Sequence, residues 1–351
     1  MGRNSSIELF RLVLMFMIIV HHSIVHGLGL RGDLLDNQIS THIGYVCNLE
    51  NTEYLVSFLV NSFCICAVNC FVLISGYFSI RISSTKFFSL CATVLFYTLF
   101  FNSVDLFLKG EFVGGGKLLL FFSHPTYWFI NCYIYLFILA PLLNMLFDTM
   151  NKSYQYLFIL FLLFVSSYLG FIYGNSLNPT GYNLFQMITM YSIGRFIRNN
   201  HFRQAKSTSL MGYIILSLVI GLSAFFLWKM NLSRFAWHLS YYNNPLLIIS
   251  SVCLFLFVRS FDFKNENINK YAGSALAIYM IQSSMMMSQA YYSFINSLHN
   301  YMGYAIYIVI FISAICIIIF SILVDRIIQK PVNHILTRIF QYVYDKALLT
   351  S

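Results

Sequence analysis

Apolar residues run through this chain in long unbroken blocks, and polar residues gather in short gaps between them. Stretches such as Leu12 to Val20, Tyr156 to Val165 and Ile306 to Leu323 are too apolar for surface loops. Because the runs are continuous rather than alternating, they predict helices and exclude a β-barrel. Division at the polar gaps predicts ten helices, over 7–29, 54–78, 87–108, 126–147, 155–174, 184–198, 210–229, 245–260, 271–293 and 303–327. Most approach the roughly 20 residues that cross about 30 Å of hydrocarbon. The expected architecture is therefore all-α, a polytopic membrane protein with about ten transmembrane helices forming one domain over residues 1–351. The first run contains Arg11 and the pair His21-His22 and lacks an A-x-A site, so it is expected to be a retained helix rather than a removed signal.

Composition supports the bilayer as the main partner. Hydrophobic residues make up 59% of the chain and charged residues 9%, where a soluble domain carries about 25% charged residues. The net charge of +9 does not imply nucleic acid, because Lys and Arg sit in short gaps between apolar runs and not on one soluble face. Their placement instead predicts topology. Of the 21 Lys and Arg residues, 15 fall in alternate gaps (Arg3, Arg81, Lys86, Lys152, Arg195, Arg198, Arg203, Lys206, Arg259, Lys264, Lys270, Arg326, Lys330, Arg338, Lys346). The other gaps hold Arg31, Lys109, Lys117, Lys229 and Arg234, and Arg11 lies inside the first helix. An excess of cations marks the cytoplasmic side, so both termini are expected there. The outer gap from Leu30 to Glu53 carries Asp33, Asp36 and His42, and Gly114 to Gly116 form an outer turn with no phosphate-loop context. Most of the eight cysteines lie within apolar runs and none forms a C-x-x-C pair, so no metal site is expected.

Ionisable residues inside a membrane helix are costly and point to function. The first helix holds Glu8, Arg11, His21, His22 and His26. At about 100° per residue, Arg11 and His22 point within about 20° of one another, with His22 about 16 Å further along the axis. Glu8 falls about 60° from Arg11, and His21 about 80° away. One face therefore offers a cation near the cytoplasmic boundary and a titratable base deeper in. The alternative is an ordinary one-turn ion pair and a histidine bonded to a neighbouring helix.

The string Ile7-Glu8-Leu9-Phe10-Arg11 followed by His22 resembles the opening of the acyltransferase 3 family of integral-membrane acyltransferases. Further segments fall in the family's order: Asn69 to Tyr77 (NCFVLISGY), Trp128-Phe129-Ile130 through Ala140-Pro141-Leu142, Tyr242-Asn243-Asn244-Pro245, and Ala277-Ile278-Tyr279-Met280-Ile281. The resemblance covers nearly the whole chain. It implies a bacterial inner-membrane O-acyltransferase that moves acetyl from acetyl-CoA to a hydroxyl of a surface polysaccharide or related glycan, with acetyl-CoA as co-substrate and no permanently bound cofactor. Carried onto this sequence, His22 is the general base, Arg11 orients the donor or stabilises developing charge, and Glu8 holds Arg11. The sequence departs from the family in two places. Arg81-Ile82-Ser83-Ser84 replaces an R-x-x-R pair linked to CoA binding, leaving Arg81 and Lys86 as the cations there, and Gln282 stands where many members have a histidine. Gln282 can hydrogen-bond but cannot act as a base, so any second proton-transfer role at that position is lost.

Trp128, Tyr133, Trp237 and Tyr241 are candidate stacking platforms for the acceptor sugar, or members of an interfacial aromatic belt. Arg195, Arg198, Arg203 and Lys206 are candidate contacts for phosphate or anionic lipid, or topology determinants. His124 and His238 read as interfacial histidines. Ser23 and Ser75 are open as acceptors of a transient acyl group. The competing function class is a transporter or flippase of lipid-linked glycans, for which internal repeats and broken helices are the expected signs; neither is visible in the sequence.

Overall fold

A computed structural model describes residues 4–30, 49–109, 127–175, 177–201 and 205–349. Arg3, Arg31, Asp33, Asp36, His42, the 114–116 glycines, Lys117, His124 and Arg203 lie outside the described residues, and the Lys109 side chain is likewise not described. Among the described residues every regular element is helical, and seven helical stretches are long and apolar enough to cross a membrane. The chain is a multi-pass membrane protein.

Helix α1 (Ser5–His22) starts where the Asn4 side chain accepts the Ser6 N–H, at 2.9 Å. The start is docked onto a distant part of the chain: Ser5 N–H donates to the Phe263 carbonyl, and Ser6 Oγ donates to the Phe261 carbonyl. A π-helical turn over Ser23–Gly27 follows His22 directly. Ser23 Oγ, which donates to the Ile19 carbonyl at 2.7 Å, sits at the start of this turn, and single π turns are frequent at functional sites.

The region 54–78, expected as one helix, is a pair, α2 (Asn51–Cys64) and α3 (Ala67–Phe78), with a turn at Ile65–Cys66. Next come α4 (Ser84–Lys109), α5 (Trp128–Thr149), α6 (Lys152–Leu163, continued by a π segment to Ile172), α7 (Leu184–Asn199) and α8 (Lys206–Lys229). Lipid tails are as apolar as the side chains, so close backbone packing must supply much of the cohesion between helices. α3 and α7 show how: a Cβ on Gly76 would lie 2.0 Å from the Tyr191 carbonyl oxygen, and one on Gly194 would lie 2.4 Å from the Leu73 carbonyl oxygen.

After short α9 (Ser233–His238), the segment Tyr242-Asn243-Asn244-Pro245 leads into α10 (Pro245–Arg259). Asn244 caps α10 through Leu246 N–H, and Pro245 fits the first helical position, where no N–H is needed. The buried Asn69 and Gln186 amides both donate to the Tyr242 carbonyl, at 3.0 and 2.8 Å, and Asn243 Nδ2 donates to the Asn178 carbonyl at 2.5 Å. This network pins the α9–α10 connection onto α3 and α7.

The stretch 271–293, expected as one helix, is broken. It comprises the last two residues of α11 (Glu266–Ala272), all of α12 (Ala275–Gln282) and the first part of α13 (Met285–Met302). The break falls at Ser283–Ser284, where Ser284 takes an extended conformation with ψ 140°. Freed backbone groups inside a bilayer need local partners, and the Ser284 hydroxyl supplies one by donating to the Ile281 carbonyl at 2.9 Å. Apolar composition concealed these two interruptions. α14 (Ile306–Val324) passes through a π turn into α15 (Lys330–Leu349), well past the expected end at 327. Polar contacts hold that extension: Ser274 and Lys330 meet the Asp325 carboxylate, and Gln329 and Asn333 reach Thr93 and Ser89 on α4.

Candidate active site

On α1, Nη1 of Arg11 lies 3.3 Å from each carboxylate oxygen of Glu8. Glu8 is buried, whereas the Arg11 side chain keeps 33% of its exposure. The carboxylate is thus the fixed partner and the guanidinium the reachable one. Pairing also relieves the cost of holding a lone carboxylate away from water.

Eleven residues, about three turns, further along, the histidines are held individually by amides from other helices. His22 Nδ1 lies 3.0 Å from Gln282 Oε1 at the end of α12. His21 Nδ1 lies 2.6 Å from Asn61 Oδ1 on α2, and Asn61 Nδ2 donates in turn to Ser240 Oγ at 3.3 Å. His21 is buried and His22 half-buried. The π turn keeps His26 beside them: ring centroids are 5.3 Å apart for His21–His22, 5.7 Å for His22–His26 and 5.3 Å for His26–Tyr292. Glu8, Arg11 and His22 therefore share α1, but His22 lies within a polar cluster built from α1, α2 and α12.

Of the two candidate serines, Ser23 is fully buried and engaged with the Ile19 carbonyl and the Tyr291 hydroxyl. Ser75 donates to the Phe71 carbonyl and meets the Tyr133 hydroxyl at 3.3 Å. An aromatic wall leads from here toward Gln282. Tyr133 stacks on Phe129 at 5.9 Å, and Phe129 meets Tyr279, three residues before Gln282, at 5.6 Å. Trp128 extends the wall, stacking on Tyr242 at 5.8 Å.

Trp237 lies in α9 and Tyr241 in the connection that follows it. Trp237 is in the core, only 5% exposed, and Tyr241 lies edge-on to His238, 4.8 Å between centroids. Their link to the histidines runs through Ser240 and Asn61. His238 stacks on Phe171 at 4.2 Å, and burial there lowers its pKa, so the ring is neutral near pH 7. Burial raises the Tyr242 phenol well above the ordinary tyrosine value, with Tyr182 beside it adding to the rise.

At the end of the bundle that carries the N-terminus, a cleft of about 670 Å³ opens between α3, α5 and α7. Its lining includes Tyr77, Arg81, Asn144, Arg195 and Arg198. Arg195 is buried and bonds Ser79 and Asp148. Ser79 ends α3 with φ 58°, a conformation that costs a non-glycine residue about 1–3 kcal/mol, and the Arg195 contact helps hold it. Tyr191 and Asn144 clamp the next residue, Ile80, through its N–H and carbonyl at 3.1 and 2.9 Å. Arg198 and Arg259 both lie over the Tyr77 ring, at 5.2 and 5.5 Å. Arg81 is exposed at the cleft, whereas Lys86 is exposed outside its lining.

The sequence model of a family described as "Acyltransferase domain" matches residues 4–324, from the cap of α1 to the last residue of α14. The chain belongs to the acyltransferase 3 family. No curated protein and no solved structure matches it. As an acyltransferase 3 protein it is a membrane acyltransferase, and the matched region contains every site residue described above.

Within this acyltransferase the segment Asn69 to Tyr77 gains a physical reading. Asn69 anchors the Tyr242 carbonyl, Ser75 meets Tyr133, Gly76 admits α7, and Tyr77 receives two guanidinium groups. Reasoning from the sequence missed Asn61, although a polar amide in an apolar run is itself a signal. It recognised that Gln282 can hydrogen-bond but did not foresee that His22 is its partner. No group of three or more His, Cys, Asp or Glu side chains suited to a metal occurs among the described residues.

Proposed function

We propose that this acyltransferase moves an acetyl group from acetyl-CoA to a hydroxyl of a bacterial surface polysaccharide or related glycan, in the inner membrane, with His22 as general base. The observation that carries the proposal is the half-buried His22 imidazole, held on one nitrogen by Gln282 and set on the same helix as the reachable cation Arg11. A neutral imidazole takes the proton from the acceptor hydroxyl as its oxygen attacks the thioester carbonyl. The C–S bond breaks, the proton passes to the departing CoA sulfur, and the products are an ester and free CoA. Direct transfer needs no acyl-enzyme. The internal bonds of Ser23 and Ser75 fit that route.

The excess of Lys and Arg supports a cytoplasmic position for the Arg81–Arg198 cleft, where acetyl-CoA is available. Arg81 and Arg198 are the cations suited to its phosphates, with Arg195 as the support beneath them. Trp128 and Tyr133 belong to the wall that approaches the histidines and are the stronger sugar platforms; Trp237 shapes the opposite flank from within the core. On this account Arg198→Ala raises the acetyl-CoA KM about tenfold, the scale of one charge-assisted hydrogen bond, and changes kcat little. Initial rates at varied acetyl-CoA concentration check it.

Mass spectrometry of surface glycans tests the proposal as a whole. Cells carrying the gene are expected to show an acetyl increment that disappears on deletion and returns with the wild-type gene. An unchanged glycan acetylation pattern after deletion would overturn the acceptor assignment.

A further inference from the structure

We infer that Gln282 is a positioning residue that fixes the His22 tautomer, so that Nε2 rather than Nδ1 carries the lone pair facing the reaction. The inference rests on the reading of His22 as general base. Gln282 is buried, and its carboxamide is used at both ends: Nε2 donates to Ser283 Oγ at 2.5 Å while Oε1 faces His22 Nδ1 at 3.0 Å. An amide oxygen can only accept, so the Nδ1 facing it must carry the proton. A neutral imidazole has one N–H, and its remaining nitrogen, Nε2, therefore carries the lone pair.

The helix break gives this contact its precision. α12 ends at Gln282, and Ser283 sits in the break between α12 and α13. There its hydroxyl meets both the Gln282 amide and the Tyr279 side chain. His21 shows the same device: Asn61 Oδ1 faces its Nδ1 while Asn61 Nδ2 donates to Ser240. Two adjacent histidines are thus set by two different amides. His22 differs in being half-buried, which leaves it the more accessible of the two. Titratable groups near the pair include His26, whose ring lies 5.7 Å from His22, Tyr292 beside His26, and Tyr291, which meets the adjacent Ser23.

Glutamine at position 282 therefore replaces a possible base with an orienting acceptor. It needs no proton of its own to hold His22, and it adds no charge next to the imidazole.

Two readouts test the inference. The first is label transfer from radiolabelled acetyl-CoA to the glycan fraction in membrane vesicles from the producing cells. The second needs no acceptor: the rate at which diethyl pyrocarbonate modifies His22, mapped by mass spectrometry across pH. Gln282→Ala is expected to lower kcat about 10²-fold, the scale for a misaligned catalytic group, with the acetyl-CoA KM little changed. Gln282→Glu keeps the acceptor but adds a charge, and is expected to retain most of the rate. It should move the acid limb of both pH profiles upward by about one unit or more. A purely structural Gln282 would give neither the kcat-specific loss nor the upward limb. If His22→Ala abolishes transfer while both Gln282 variants keep wild-type rates and pH profiles, the positioning role is overturned and the general base stands. If His22→Ala retains full transfer, the general base is overturned. The diethyl pyrocarbonate profile of Gln282→Glu then still decides whether the contact controls the imidazole.

Discussion

His22→Ala is expected to lower acetyl transfer by about 10²–10⁴-fold, the range attributed to a positioned general base, while leaving the protein assembled in the membrane. The two parts of this expectation have separate grounds. The loss follows from removing the group that accepts the hydroxyl proton. Survival of the fold follows because His22 is half-buried, so truncating it leaves less of a void than truncating a core side chain. His21→Ala should behave in the opposite way. It strands the buried Asn61 amide oxygen, at a cost of about 1–3 kcal/mol, and should reduce yield or thermal stability more than rate. Measuring transfer per folded molecule, with thermal unfolding of the same samples, separates the two histidines. Equal losses of rate in both variants would argue that the cluster acts as a unit without a distinct base at His22.

The second large effect concerns the fold. Gly76→Val or Gly194→Val should prevent stable assembly, because each glycine lies where a Cβ would enter the backbone of the facing helix. Ordinary overpacking costs about 1–3 kcal/mol because side chains can shift. Here the obstructing atoms are carbonyl oxygens, 2.0 Å from a Cβ at Gly76 and 2.4 Å from one at Gly194. Relief requires α3 and α7 to separate, which would also disturb the Asn69–Gln186–Tyr242 network and the Arg195–Ser79 contact between the same helices. Gly273→Ala is the matching control, since its nearest neighbour would be 3.5 Å away, at ordinary contact distance. Monodisperse protein on size-exclusion chromatography for the control, and its loss for the two valine variants, is the expected result.

These residues show what the sequence made legible. The all-helical membrane fold followed from composition, because a chain with 59% hydrophobic residues in continuous runs has few alternatives. The Glu8–Arg11 pair followed from helical spacing, and both carboxylate oxygens do meet the guanidinium. Contacts across helices were hidden. Neither the pairing of His21 with Asn61 nor that of His22 with Gln282 has a sequence separation that any periodicity could reveal. The helix breaks were hidden too: Ser283–Ser284 lies in an apolar setting, and only the partners of its hydroxyls show why the chain can stop being helical there. Family resemblance pointed to Gln282 as a departure, but its consequence depended on which atom of His22 it faces.

The broken helices at 65–66 and 283–284 are features that glycan transporters also use, so the most direct measurement is one that separates transfer from transport. The purified chain is placed in liposomes with labelled acetyl-CoA and glycan extracted from the producing cell. Free CoA thiol, glycan-bound label and glycan position are followed together. The acyltransferase account predicts one thiol released for each acetyl group appearing on glycan, with both signals lost in His22→Ala. Movement of glycan across the bilayer with no thiol release and no label on the sugar would contradict it.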